Sequence, residues 1–146
     1  MIARVQADLR EARLARDAAR VQVLGTLLAA LQSAEKDAGG ALDDAAATAV
    51  LRRERKRRAE AAESFREAGR EEDAAREDAE GALIDGYMPA ALDPAELDRM
   101  VAEAVAEAGA TTPREMGAVM KLLTPRVAGR ADGRTVSDAV KRALAG

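Results

Sequence analysis

Residues 17–31, DAARVQVLGTLLAAL, set Val21, Leu24, Leu27, Leu28 and Leu31 at steps of three and four, the spacing that lays one apolar stripe along an α-helix. Asp17 is placed to cap its start, and Gly39-Gly40 to end it. On the N-terminal side, Ile2, Val5, Leu9 and Ala12 repeat the same step and predict a helix over 2–16. On the C-terminal side, Asp43-Asp44 caps a third helix striped by Ala47, Val50, Leu51, Ala61, Ala62 and Phe65, with Gly69 at its end. A fourth, acidic and Ala-rich, runs from about Arg70 to Asp85, with only Leu83 and Ile84 large and apolar. Every segment carries the helical period and β-branched and aromatic residues are scarce, so the expected fold class is all-α.

Tyr87-Met88-Pro89 interrupts this pattern, and two capping signals follow. Asp93-Pro94-Ala95-Glu96 and Thr112-Pro113-Arg114-Glu115 each supply an N-cap residue, proline at the first helical position and glutamate at the third. The first predicts a helix with Leu97, Val101, Ala104, Val105 and Ala108, stopped by Gly109; the second carries Met116, Val119, Met120 and Leu123 up to Pro125. A last helix holds Val136, Val140 and Leu144, after a loop, Gly129 to Arg134, whose two glycines are free to take positive φ. The chain therefore divides into a long-helix domain over 1–92 and a small three-helix domain over 93–146.

Composition excludes much chemistry. The 146 residues hold no Cys, His or Trp, one Phe and one Tyr, so there is no thiolate nucleophile, imidazole base, disulfide or Cys/His metal site. No catalytic residues, metal or cofactor are expected. The first sixteen residues interrupt every apolar position with charge, unlike a signal peptide. The longest apolar run, Val23 to Leu31, falls far short of the roughly 20 residues that cross a bilayer. A cytoplasmic location with no membrane partner is the expectation.

Charge is segregated along the chain. Residues 52–58 carry six cations and one carboxylate, and residues 71–80 six carboxylates and one arginine. One reading lays the basic helix beside its acidic neighbour in an antiparallel bundle. The other makes Arg52, Arg53 and Lys56, on the arc opposite Phe65, a phosphate-binding ridge. Glu54 and Arg58 fall instead on the apolar arc. They read as a semi-buried ion pair with the Arg58 head reaching water, or as part of a polar pocket between domains. Further on, residues 114–142 hold seven basic and three acidic residues, against one and five over 93–107. Lys121, Arg126, Arg130 and Arg134 gather around Pro125 and the two-glycine loop, where helix-dipole complementarity and a phosphate site are both open readings.

The same loop carries a resemblance. Met116-Gly117-Ala118-Val119-Met120, Pro125-Arg126-Val127 and Gly129-Arg130-Ala131-Asp132-Gly133-Arg134 with Val136 resemble the signature of the GatB/YqeY family. Its members are stand-alone bacterial proteins and the tail domain of the GatB component of the aspartyl/glutamyl-tRNA amidotransferase. Tyr87-Met88-Pro89, Leu92, Glu96-Leu97 and Ala68-Gly69-Arg70 match further upstream, so the chain looks like a stand-alone member. Gly25 departs from the arginine usual in the family's second helix. The resemblance implies an all-helical two-domain fold and a link to tRNA-dependent amidation, with the tail domain holding the tRNA body.

The expected function is a non-enzymatic accessory that binds tRNA or other structured RNA. Lys121, Arg126, Gly129, Arg130, Gly133 and Arg134 would hold phosphates, with Arg52, Arg53 and Lys56 as a secondary ridge. The scarcity of aromatics argues against base stacking. The rival is a helical protein-interaction module, which the acidic balance favours. A weaker alternative, inherited from the family, is carbon–nitrogen ligation with glutamine as amido donor, acting with partner subunits.

Overall fold

The computed structural model describes residues 1–146 and contains seven α-helices and no strand. These are α1 (Ile2–Leu14), α2 (Ala18–Ala38), α3 (Asp44–Glu67), α4 (Glu71–Asp85), α5 (Pro94–Ala108), α6 (Met116–Val127) and α7 (Gly133–Ala145), with a 3-10 turn, Pro113–Glu115, leading into α6. The protein is all-α. The chain divides into two compact units, Met1–Met88 and Pro89–Gly146. No helix is long and apolar enough to cross a membrane.

Within the first unit, the apolar stripes close on one another. Val5, Leu9 and Ala12 of α1, Val23, Leu24, Leu27 and Leu31 of α2, Ala47, Val50 and Leu51 of α3 and Ile84 of α4 form one buried cluster with Tyr87. Asp17 caps α2 by accepting from the Arg20 N–H, Asp43 caps α3 by accepting from Ala46, and Gly39 ends α2 in the left-handed region at φ 72°. Ion pairs running from Arg55–Asp85 through Arg58–Glu80 to Arg66–Asp78 and Arg66–Glu71 place α3 and α4 antiparallel. The basic run thus lies beside the acidic one, as the first reading of the charge pattern has it.

In the second unit Leu97, Val101 and Ala104 of α5, Val119, Leu123 and Val127 of α6, and Val136, Ala139, Val140 and Leu144 of α7 make a separate core. Three local expectations are corrected. α6 does not stop at Pro125 but runs through it to Val127; so close to the helix end, the missing proline N–H forfeits only the bond to the Lys121 carbonyl. Gly133 is the first residue of α7 rather than a loop residue, because the Asp132 carboxylate accepts the Thr135 N–H at 2.8 Å and starts the helix there. Glu96 does not reach back to its own N-cap as the motif predicts, since an arginine from elsewhere in the unit takes its carboxylate.

Candidate functional site

That arginine is Arg130. Its Nε donates to the Ala90 carbonyl at 3.1 Å, and its two terminal nitrogens each lie 3.4 Å from a Glu96 oxygen. Its own carbonyl accepts the Leu92 N–H at 3.0 Å. Arg130 therefore clamps the segment entering α5 to the α6–α7 loop. The loop presents it by reversing sharply: Ala128 and Gly129 both sit in the left-handed region, at φ 50° and 77°, and the Arg130 N–H returns to the Val127 carbonyl at 3.0 Å. Glycine suits that conformation at 129, whereas alanine at 128 holds it at a cost of about 1 kcal/mol.

The other predicted cations separate into two kinds. Arg126, on the α5 side of α6, pairs with Glu107, so the acidic helix already neutralises both Arg126 and Arg130. Lys121 and Arg134 are exposed and make no ion pair within the chain. Lys121 lies across α6 from Val119, Leu123 and Val127. Arg134 lies across α7 from Val136, Val140 and Leu144. The structure thus does not bring all four cations together as one cluster. It also leaves Arg114, Lys141 and Arg142 exposed without ion pairs, three cations that attention to the loop motif passes over. Their signal was the helical phase of Lys141 and Arg142, opposite the α7 core stripe.

The secondary ridge is largely occupied. Arg52 is half-buried, not outward, and engaged within the chain. Lys56 pairs with Glu60 one turn on, at 3.8 Å. Arg53 stays exposed. Beneath the ridge Glu54 is 3% exposed and is held by Arg57 at 3.0 Å and Arg58 at 3.9 Å. The Arg58 side chain, 15% exposed, turns to α4, with Nε 2.9 Å from Glu80 and 3.9 Å from Glu77. The N–H is not aimed along a hydrogen bond, so that contact is Coulombic. Burial, then the neighbouring Glu80 charge, pushes the Glu77 carboxyl above its ordinary value, against the pull of Arg58 and Arg76.

Neither aromatic ring offers a stacking platform. Tyr87 is buried, donates its hydroxyl to Asp8 and lies under the Arg4 guanidinium, 4.6 Å from the ring centre. Burial first, then the Asp8 hydrogen bond and charge, pushes its phenol up to about 12. Phe65 is half-buried beneath Arg70 at 4.7 Å. No three carboxylates gather as a potential metal site. A cleft of about 770 Å³ lies between α2 and α3. No curated protein matches the chain. The family model described as YqeY-like protein matches residues 2–144, and the chain belongs to that family.

Proposed function

We propose that this chain is a non-enzymatic accessory protein that holds structured RNA by its phosphates, through the solvent faces of α6 and α7. The observation that carries the reading is the contrast between the long basic run of α3 and the cations of α6 and α7. Those of α3 are mostly tied to carboxylates of α3 and α4, whereas Lys121, Arg134, Lys141 and Arg142, with Arg114 just before α6, remain exposed and unpaired. Unpaired cations on helices are free to neutralise phosphates without first breaking an internal bond. Both aromatic rings are covered, which favours backbone contacts over base stacking. The resemblance to the amidotransferase tail domain makes tRNA the first RNA to try. Carbon–nitrogen ligation would have to run without a thiolate nucleophile or an imidazole base, since the chain has no Cys and no His.

The test is fluorescence anisotropy of labelled tRNA titrated with the chain over a salt series. The expected result is weak, sequence-tolerant binding whose affinity falls steeply with salt. Replacing Lys121, Arg134, Lys141 and Arg142 by alanine should flatten the log–log slope by about 0.9 per lost phosphate contact. Arg53→Ala with Lys56→Ala serves as the control and should leave the slope alone. Absence of binding at low salt, or loss only in the control, overturns the reading in favour of the helical interaction module.

A further inference from the structure

The core of the first unit ends partway along the α3–α4 hairpin. Its outermost buried members on the two helices are Leu51 and Ile84. Between Glu54 and Gly81 the only apolar side chains fully buried are Ala62 and Ala74. Neither belongs to that core, nor does Phe65, half-buried beneath Arg70. Residues 58–80 therefore stand beyond the core as a two-helix arm with no large apolar side chain fully buried inside it.

Charge takes the place of packing there. Working outward from the core, Arg58 meets Glu80 and Glu77, and Arg66 meets Asp78 and Glu71. The inner contact is largely buried, yet one guanidinium serves two α4 carboxylates and its Nε is not aimed along a hydrogen bond. At the outer contact the Arg66 and Asp78 side chains are 46% and 48% exposed, and pairs so open to water contribute little and are screened by salt. Two buried methyl groups gain far less from leaving water than Leu51 and Ile84 do. Few buried apolar contacts and backbone hydrogen bonds open to solvent are what mark the part of a fold that opens first.

We propose that residues 58–80 form a charge-closed arm that opens as one unit while the core of the first unit stays folded, with ionic strength setting how often it does so. The two pieces, 58–67 of α3 and 71–80 of α4, are each shorter than the roughly 12 to 15 residues below which a lone helix is marginal in water. Each depends on the other, and they are lost together. Opening parts Arg58 and Arg66 from the acidic helix, so the state of the arm governs how much of the positive charge of α3 is covered.

Hydrogen exchange of the full chain at neutral pH, read by mass spectrometry over a sodium chloride series, tests this. The expected result is one shared protection for the amides of 62–66 and 75–80, about tenfold or more below that of Val23 to Leu31 in α2. Raising the salt to about 1 M, where the screening length is about 3 Å, speeds exchange in the arm severalfold and leaves α2 unchanged. Ala62→Gly speeds all the arm amides together, by about fivefold from helix propensity alone, and again leaves α2 unchanged. Arg66→Ala speeds the arm at low salt and blunts its response to added salt. Equal protection in arm and core, protection that falls away gradually toward Gly69 with no shared value, or exchange in the arm indifferent to salt overturns the inference.

Discussion

Arg55 of α3 lies across Gly81 of α4 so closely that a β-carbon at 81 would sit 2.5 Å from its Nη1 and 2.9 Å from its Cζ. The missing side chain lets the guanidinium pass over the helix to Asp85, which Nε reaches at 2.9 Å. Gly25 of α2, by contrast, would direct a β-carbon into open space.

The two glycines should therefore answer differently to alanine. Gly25→Ala should raise stability by about 1 kcal/mol, the helix-propensity difference, read from the urea midpoint. In Gly81→Ala the same gain is offset by displacement of Arg55. Partly exposed pairs couple by only about 0.2 to 1 kcal/mol, so the net change should be small. The distinguishing measurement is a double-mutant cycle between Arg55→Ala and Asp85→Ala: its coupling should vanish in the Gly81→Ala background and persist in Gly25→Ala.

The helices were legible because their stripes, caps and stops agree. Asp17, Asp43, Asp93 and Asp132 all cap the helices they precede, and Gly39, Gly69 and Gly109 all take positive φ just past a helix end. What sequence could not give was the partner of a charged side chain across space. Glu96 fits a capping motif locally, yet Arg130, 34 residues away, takes it; Arg58 is placed correctly on the inner arc, but whether its head meets water or α4 depends on how the hairpin closes. The loop cations were found by their clustering along the chain, and clustering in sequence says nothing of which acids stand opposite.

Glu77 sets a pH dependence with a definite sign. Burial and Glu80 raise its carboxyl above the ordinary 4.5, so the folded state binds this proton more tightly than the unfolded chain. The stability it contributes is fully present below 4.5 and is lost as pH rises through the raised folded value. Glu77→Gln should therefore be more stable than the wild type at neutral pH, and the advantage should disappear as pH falls toward 4.5. Denaturant midpoints of both proteins across that range check it; an advantage that grows on acidification would falsify the assignment.

At the start of α6 the glutamate of the motif does more than the threonine. The Glu115 carboxylate accepts the Thr111 N–H at 2.6 Å and the Thr112 N–H at 2.9 Å, and those two bonds hold its carboxyl below the ordinary range. Its contribution is therefore present above about 4.5 and lost as pH falls through the depressed folded value. Glu115→Ala should destabilise more than Thr112→Ala at neutral pH, and the gap should close in acid. Asp93→Ala, which removes the bond to the Ala95 N–H at 2.8 Å, should cost about 1 kcal/mol.

Arg130 and Arg134 stand four residues apart in the motif that carries the family resemblance, and the structure assigns them different work. Arg130→Ala removes the bonds to the Ala90 carbonyl and the Glu96 carboxylate and leaves the entry to α5 untied. The side chain is about one-third exposed, so the loss should be moderate, about 1 to 2 kcal/mol. Arg134 is exposed and unpaired, and Arg134→Ala should leave the melting temperature within about 1 °C of the wild type. In the proposed RNA binding the order should reverse. Arg134→Ala should lower the salt slope, while Arg130→Ala, measured well below its melting temperature, should leave it unchanged because its charge is already spent on Glu96. Paired thermal scans and salt-dependent anisotropy of the two variants separate the clamp from the phosphate contact, and a slope lowered by Arg130→Ala alone would move the interface to the loop itself.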